Sequence, residues 1–241
     1  MAALVWDRTG EHFYETGISK GVLFTANADS SATLDTPGWN EGVAWNGLIS
    51  VSESPEGADE EAFYADNIKY LSLRGVEDLG GSISAYQSPE EFDECDGSVE
   101  LSSTIKGVTI GQQPRKAFCL AYVTQKGNDT QGSEHGYVIH IIYNATASPS
   151  EREYQTINDS PEPNELSWDF SSSPVPVTGH KPTSIVRIDS TRFTTEVQKN
   201  KLKTIENALF GVDADQTASV TEVKPHVLLP NDIIAILASN G

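Results

Sequence analysis

The chain has 241 residues, with 35 acidic side chains against 16 basic ones and a formal net charge of −19. That length buries a sizeable core, as one large β domain or two small ones. So acidic a surface repels duplex phosphates and argues against a protein that reads DNA sequence; its plain meaning is a well-solvated exterior.

The opening residues, MAALVWDRTGEHFYE, lack a basic region followed by an apolar core and so predict no signal peptide. No apolar run approaches the roughly 20 residues that span a bilayer. Leu4 to Trp6 and Val22 to Phe24 read as short extended pieces. Ala26 to Gly42 is small, polar and turn-rich around one large side chain, Trp39. An aperiodic stretch of this length predicts a functional or mobile loop. Val43, Trp45, Ile49 and Val51 alternate as a half-buried strand. AFYADNIKYLSL is strand-like with a break at Asp66-Asn67, and Ile83, Ala85 and Tyr86 form a further strand. SPEEFDECDG predicts one or two acidic helical turns, with Ser88 as cap and Pro89 at the first position. Val99, Leu101 and Ile105 alternate before Gly107.

The centre of the chain is the clearest part. Ala117 to Val123 is an unbroken apolar run, and Tyr137 to Tyr143 answers it with β-branched and aromatic residues. Between them, Lys126 to Gly136 carries Gly127, Asn128, Asp129, Gly132 and Gly136, the chemistry of a hairpin connection. The first arm is apolar on both parities, as for a strand covered on two sides. Leu166, Trp168 and Phe170 share one parity against Glu165, Ser167, Asp169 and Ser171 on the other, and Pro174 and Pro176 end that strand. Val186 and Ile188 form another.

Only then does the period change. TTEVQKNKLKTIENALFG sets Val197, Leu202, Ile205, Ala208 and Leu209 on one helical arc, with a capping box at Thr195 and Gln198 and a stop at Gly211. The tail, PHVLLPNDIIAILASNG, predicts one last apolar turn or strand. Around ten short strands and one flanking helix over about 195–210 predict a mainly β chain, an antiparallel sandwich or barrel, as a single domain over 1–241. The loop at 26–42 and the extension from about 212 are appended to it.

Patterns that carry chemistry are sparse. Gly17-Ile-Ser19-Lys-Gly21 matches the spelling of a nucleophile elbow, but a strand resumes after it where that motif needs a helix. His12, His135, His140, His180 and His226 show no metal-ligand spacing, so no metal or cofactor is expected. Cys95 and Cys119 are far apart and read as small core residues. Two rival readings remain: a β-sandwich binding module displaying Trp39, Trp45 or Trp168, and a hydrolase using paired carboxylates in a cleft.

Longer strings carry more. GVAWNGLISVSESPEGADEEAFYADNIKYLSL, SPEEFDECDGSVEL, and VTIGQQPRKAFCLAYVTQKGNDTQGSEHGYVIHIIYNATASPSEREYQTINDSPEPNELSWDF closely resemble the major tail (tail tube) proteins of long-tailed phages with non-contractile tails. The resemblance runs from about Val43 to Val177, and more weakly through the helix. It implies a non-enzymatic virion protein, made in the host cytoplasm, whose hexameric rings stack into a tube around the tape-measure protein. Tail terminator and distal tail proteins are its implied partners, and double-stranded DNA passes without specific binding. On that reading Glu165, Ser167, Asp169 and Ser171 are candidates to face the lumen, and Trp39, Asn128 and Asp129 to meet a neighbouring subunit.

Overall fold

The computed structural model describes residues 4–27, 38–57, 60–74, 77–102, 104, 107–150, 152–154, 156, 163–214 and 221–239. The central hairpin is β9 (Phe118–Asn128) and β10 (Gly132–Ala147), in antiparallel register from Ile142↔Leu120 to Tyr137↔Gln125. On one side β9 pairs with β1 (Phe13–Thr25), which pairs in turn with β2 (Val43–Trp45). On the other side β10 divides its edge. Val138 to Ile142 pair with β12 (Ile185–Asp189), whereas Ala145 to Ala147 pair with β11 (Leu166–Ser172). Asn144, at φ 46°, stands in the register shift between those stretches, a bulge that bends the strand. Beyond β11 lie β6 (Glu77–Ala85) and β3 (Leu48–Gly57).

The bend turns one connected sheet into two layers with a core on each side of the central hairpin. One parity of β1, β9 and β10 (Leu23, Phe118, Leu120, Tyr122 and Ile142) packs with Trp45, Leu79, Ile83, Trp168 and Phe170 between the layers. Phe92 sits at its centre, its ring 4.6 Å from Trp45, 5.2 Å from Trp168 and 5.4 Å from Phe118. The tilted and edge-on geometries suit the ring quadrupoles. The other parity (Phe24, Cys119, Ala121, Ile139, Ile141 and Tyr143) is covered by helix. Leu202, Ile205, Ala208 and Leu209 supply that cover from α2 (Glu196–Phe210). Here the capping box closes as the sequence predicts: Thr195 Oγ1 accepts from Gln198 N at 3.3 Å, and Gln198 Oε1 accepts from Thr195 N at 3.0 Å. Gly211 ends the helix at φ 77°.

Several expectations need correction. The tail is a helix, α3 (Pro230–Ala238), opened by proline at its first position and by Asp232, which accepts from Leu229 N at 3.0 Å. Its unbroken IIAIL run hides the helical period. The described residues after 212 are built into the fold: Val212 bridges Val223, Leu228 and Ile233 are buried, and Tyr143 Oη donates to the Leu228 carbonyl at 2.8 Å. Val43 to Val51 is two strands, not one. Asn46-Gly47 spells a hairpin turn, yet β2 belongs to the β1 side and β3 to the β6 side, so this turn carries the chain from one layer to the other. Asp66 and Asn67 take positive φ and make a hairpin turn between β4 (Glu60–Ala65) and β5 (Ile68–Arg74). Leu4 to Trp6 are not a strand. Ser88 is not a cap: the 3-10 turn Glu90–Phe92 follows Pro89 without a side-chain cap, and α1 (Asp93–Asp96) continues it. Val99 and Ile110 pair across two short strands, β7 (Val99–Glu100) and β8 (Thr109–Ile110), while Ile105 lies outside the described residues. So do residues 28–37 of the polar loop, whose flanks are fastened by Ala26–Trp39 bridging and by Asn40 N donating to Thr25 O at 2.9 Å.

Trp168 joins β11 to Phe92 and Trp45, so Trp168→Ala should remove the main contact between layers. We expect the unfolding free energy in urea to fall by about 3–5 kcal/mol, with loss of near-ultraviolet circular dichroism at the aromatic cluster.

Candidate functional surfaces

The catalytic spellings dissolve in the structure. Ser19 lies inside β1, where its hydroxyl donates to the Val123 carbonyl at 3.4 Å, with strand on both sides. Trp45 and Trp168, proposed ligands of a binding platform, are 3 % and 1 % exposed. Glu90, Glu91, Asp93 and Glu94 gather with Glu100 along one cleft. Burial there, together with Asp96 beside it, pushes the Asp93 carboxyl up. Two of the neighbouring acids are ion-paired, Asp96 with Arg152 and Glu94 with Lys116 at 2.5 Å. Acid–base hydrolysis needs carboxylates free to meet a substrate, and ion pairing withdraws these two.

A polar network crosses the mouth of the inner core. Glu53 of β3 reaches over to β9, β10 and β12, accepting from Tyr122 Oη at 2.6 Å and from Arg187, with His140 Nδ1 at 3.2 Å. His140 Nε2 lies 3.0 Å from Thr124 Oγ1, and its ring stacks on Tyr122 at 4.7 Å. His140 is therefore a satisfied sheet residue. Burial alone would raise the Glu53 pKa, but hydrogen bonds from His140, Tyr122 and Arg187, with the guanidinium charge, overcome it and lower the carboxyl from 4.5 to about 2. Since the folded pKa is the lower one, this stabilisation is present above pH 4.5 and is lost as pH falls toward 2. It amounts to about 3 kcal/mol. Glu53→Gln should flatten that part of the pH–stability curve, read by urea unfolding across the same window.

The hairpin tip is engaged with its own chain. Asn128 is buried: its Oδ1 accepts from Gln131 N at 2.7 Å, and its Nδ2 donates to the Gly10 carbonyl at 3.1 Å. Asp129 accepts from Gly10 N at 2.9 Å and lies 3.3 Å from His12 Nδ1. The backbone amide of Gly10 outweighs slight desolvation in holding the Asp129 carboxyl below its usual range. The pair thus clasps the segment that carries exposed Leu4, Val5 and Trp6. Trp39 is partly buried against the helix-covered core, and its Nε1 is buried without an acceptor among the described residues.

Two surfaces stand out instead. The first is the arm: β4 and β5 continue the β3–β6 pair outward as a separate two-stranded hairpin. It displays Phe63, Tyr64, Ile68, Tyr70, Leu71 and Leu73 to solvent, with Tyr64 72 % exposed. The second is the outer face of β3, β6, β11 and the end of β10. Register aligns Ser50 with Ser84 and Ser167, and Ser52 with Ser82 and Asp169. Ser54 aligns with Gly80 and Ser171, and Thr146 and Ser148 extend the rows. Ser167, Asp169 and Ser171 are exposed here, opposite buried Trp168 and Phe170, as their parity predicts, and Glu165 precedes them, also exposed. Glu56 and Asp78 fall on the same parity at the arm end, and no lysine or arginine occupies the face among the described residues. The sequence shows the β11 part alone. The S-x-S-x-S of Ser50 to Ser54 and the S-x-S of Ser82 to Ser84 were signals of the rest, joined only by register.

A family model described as phage tail tube protein matches residues 13–225. Among solved structures, the chain is similar to one in the baseplate of the anti-feeding prophage, determined with six-fold symmetrisation. The two are 8 % identical, with a TM-score of 0.31, over 77 % of this chain and 97 % of that one. A chain of the sheath–tube complex of an extracellular contractile injection system, PVC, in its extended state is also similar. It is 12 % identical, with a TM-score of 0.27, over 70 % of this chain and 88 % of that one. No curated protein sequence matches.

Proposed function

Because the chain belongs to the phage tail tube protein family, we propose that six copies close into a ring and that rings stack head to tail around the tape-measure protein. The finished tube, bounded by terminator and distal tail proteins, conducts double-stranded DNA into the host. The subunit is made in the host cytoplasm and works in the virion.

The observation that carries this reading is the arm. A two-stranded hairpin alone is marginal in water, and six large apolar side chains on its surface cost solubility unless something covers them. A second copy is the fitting cover: the contact is heterologous, since an arm meets a different surface on its neighbour, and heterologous contacts propagate into rings and open tubes. Aromatic residues such as Tyr64 and Tyr70 are the side chains that dominate interface energetics. The charge of −19 opposes this by self-repulsion, which keeps free subunits dispersed until contacts accumulate.

Gly57 and Glu77 are cross-strand partners, so an Asn-Gly turn replacing residues 58–76 should close β3 onto β6 without disturbing either. The shortened protein should unfold like the parent yet stay monomeric where the parent forms tubes by negative-stain microscopy. Tubes of normal yield from the shortened protein would refute the role of the arm.

A further inference from the structure

Asn46 and Gly47 form the turn between β2 and β3, and those strands are the first and the last in the order of the main sheet. One short connection therefore brings the two ends of the sheet together. The closure is tight: a Cβ on Gly21 of β1 would lie 2.3 Å from Leu48 Cδ1 of β3. On the other side Gly47 O accepts from Tyr86 N at 2.9 Å, and buried Trp45 donates through Nε1 to Gln87 O at 2.9 Å. Glycine is demanded at 47, because it stands at φ 79° and a Cβ there would meet Gln87 Cγ at 3.3 Å. That requirement leaves Asn46 followed by the residue that shields its side chain least. Asn46 and Gly47 are both exposed, and neither the Asn46 amide nor Gly47 N is hydrogen-bonded among the described residues. Asn40, Asn128 and Asn231, by contrast, engage their side chains in hydrogen bonds. No other described asparagine precedes a glycine.

We propose that Asn46 is a site of spontaneous modification, at which the seam of the sheet rearranges as the protein ages. Asparagine is among the thermally labile residues, and here nothing protects it. Hydroxide removes the proton from Gly47 N, and that nitrogen attacks Cγ of Asn46. The N–Cγ bond forms, the Cγ–Nδ2 bond breaks, and Nδ2 leaves as ammonia after taking a proton from water. Water then opens the five-membered imide. Attack at Cγ gives aspartate. Attack at the main-chain carbonyl gives isoaspartate, whose backbone runs through the former side chain and is one carbon longer. No oxidant or reductant takes part. Either product adds a negative charge, and isoaspartate also lengthens a connection whose flanks, Trp45 and Leu48, are packed in place. The longer link frees Trp45 to move from Phe92 and Trp168, so the change reaches the aromatic cluster between the layers. This inference concerns the subunit by itself and stands without the tube reading.

The test is peptide mapping of the purified protein after storage in mildly alkaline buffer, with an unfolded peptide spanning Val43 to Val51 as reference. The Asn240-Gly241 pair falls in a separate peptide and does not confuse the reading. We expect conversion at Asn46 with isoaspartate in excess of aspartate, at a rate that rises with pH. The urea midpoint should shift downward in step with the isoaspartate fraction, together with the near-ultraviolet circular dichroism of the aromatic cluster. Asn46→Gln, whose longer side chain does not close the same ring, should keep its midpoint through the same storage. Fresh Asn46→Asp should match the parent, which separates the added charge from the lengthened backbone. An intact Asn46 in the stored protein, while the reference peptide converts, would overturn the proposal. So would an equal fall of the midpoint in stored Asn46→Gln, which places the damage elsewhere. A fresh Asn46→Asp that already shows the full shift would assign the effect to charge and overturn the role of the seam. Mapping of the parent decides the chemistry even if Asn46→Gln does not fold.

Discussion

Six consecutive residues of β9, Phe118 to Val123, are withdrawn from water on both faces, and the rest of the molecule follows from that constraint. Phe118, Leu120 and Tyr122 need one cover; Cys119, Ala121 and Val123 need another. The first is the layer of β3, β6 and β11, reached only because β10 bends at Asn144. The second is α2 and α3, joined through a segment that returns from Val212 to bury Leu228. Burying one large apolar side chain contributes about 1.5–3 kcal/mol, so neither cover is dispensable. The Glu53 network sits where the first cover meets the strand. Tyr122 buries its ring within the core and turns its hydroxyl to Glu53, so an apolar layer and a polar seam share one side chain.

What the sequence disclosed was local. The two-sided burial of β9, the parity of Trp168 and Phe170, and the capping box at Thr195 are each written within a few neighbouring residues, and each stands in the fold. What it withheld depends on pairing between distant segments. Asn46-Gly47 looks like a hairpin whichever layers its flanks join, and only the partners of Val43 and Val51 show that it changes layers. The apolar run at Ile233 to Leu237 has no period to read. Trp45 looks as free as Trp39 until Phe92 is brought against it. The hydroxyl face is the fullest case, because Ser52, Ser82 and Asp169 become neighbours solely through antiparallel register. The resemblance to tail tube proteins reached the family by long matching strings, a different kind of information, and the family match over residues 13–225 agrees with it.

The subunit thus keeps its surface chemistries apart. Apolar side chains are concentrated on the β4–β5 arm, hydroxyls on the outer face of the helix-free layer, and paired acids around α1. Separation is possible because alternation along each strand assigns one face to the core and leaves the other free to vary. Ser50, Ser52 and Ser54 change the outside of β3 while Val51 and Glu53 keep its inside.

The two cysteines have a meaning for the lifetime of the particle. Outside a cell a virion has no reductase and no replacement synthesis, so oxidative lesions accumulate without repair. Cys95 and Cys119 lie wholly inside, with thiols kept protonated by burial, and the sole methionine is Met1. Sulfenic acids, mixed disulfides and methionine sulfoxides therefore find almost no foothold on the folded protein. A subunit repeated many times along a tail multiplies any weak point by its copy number; here both thiols have been kept out of reach.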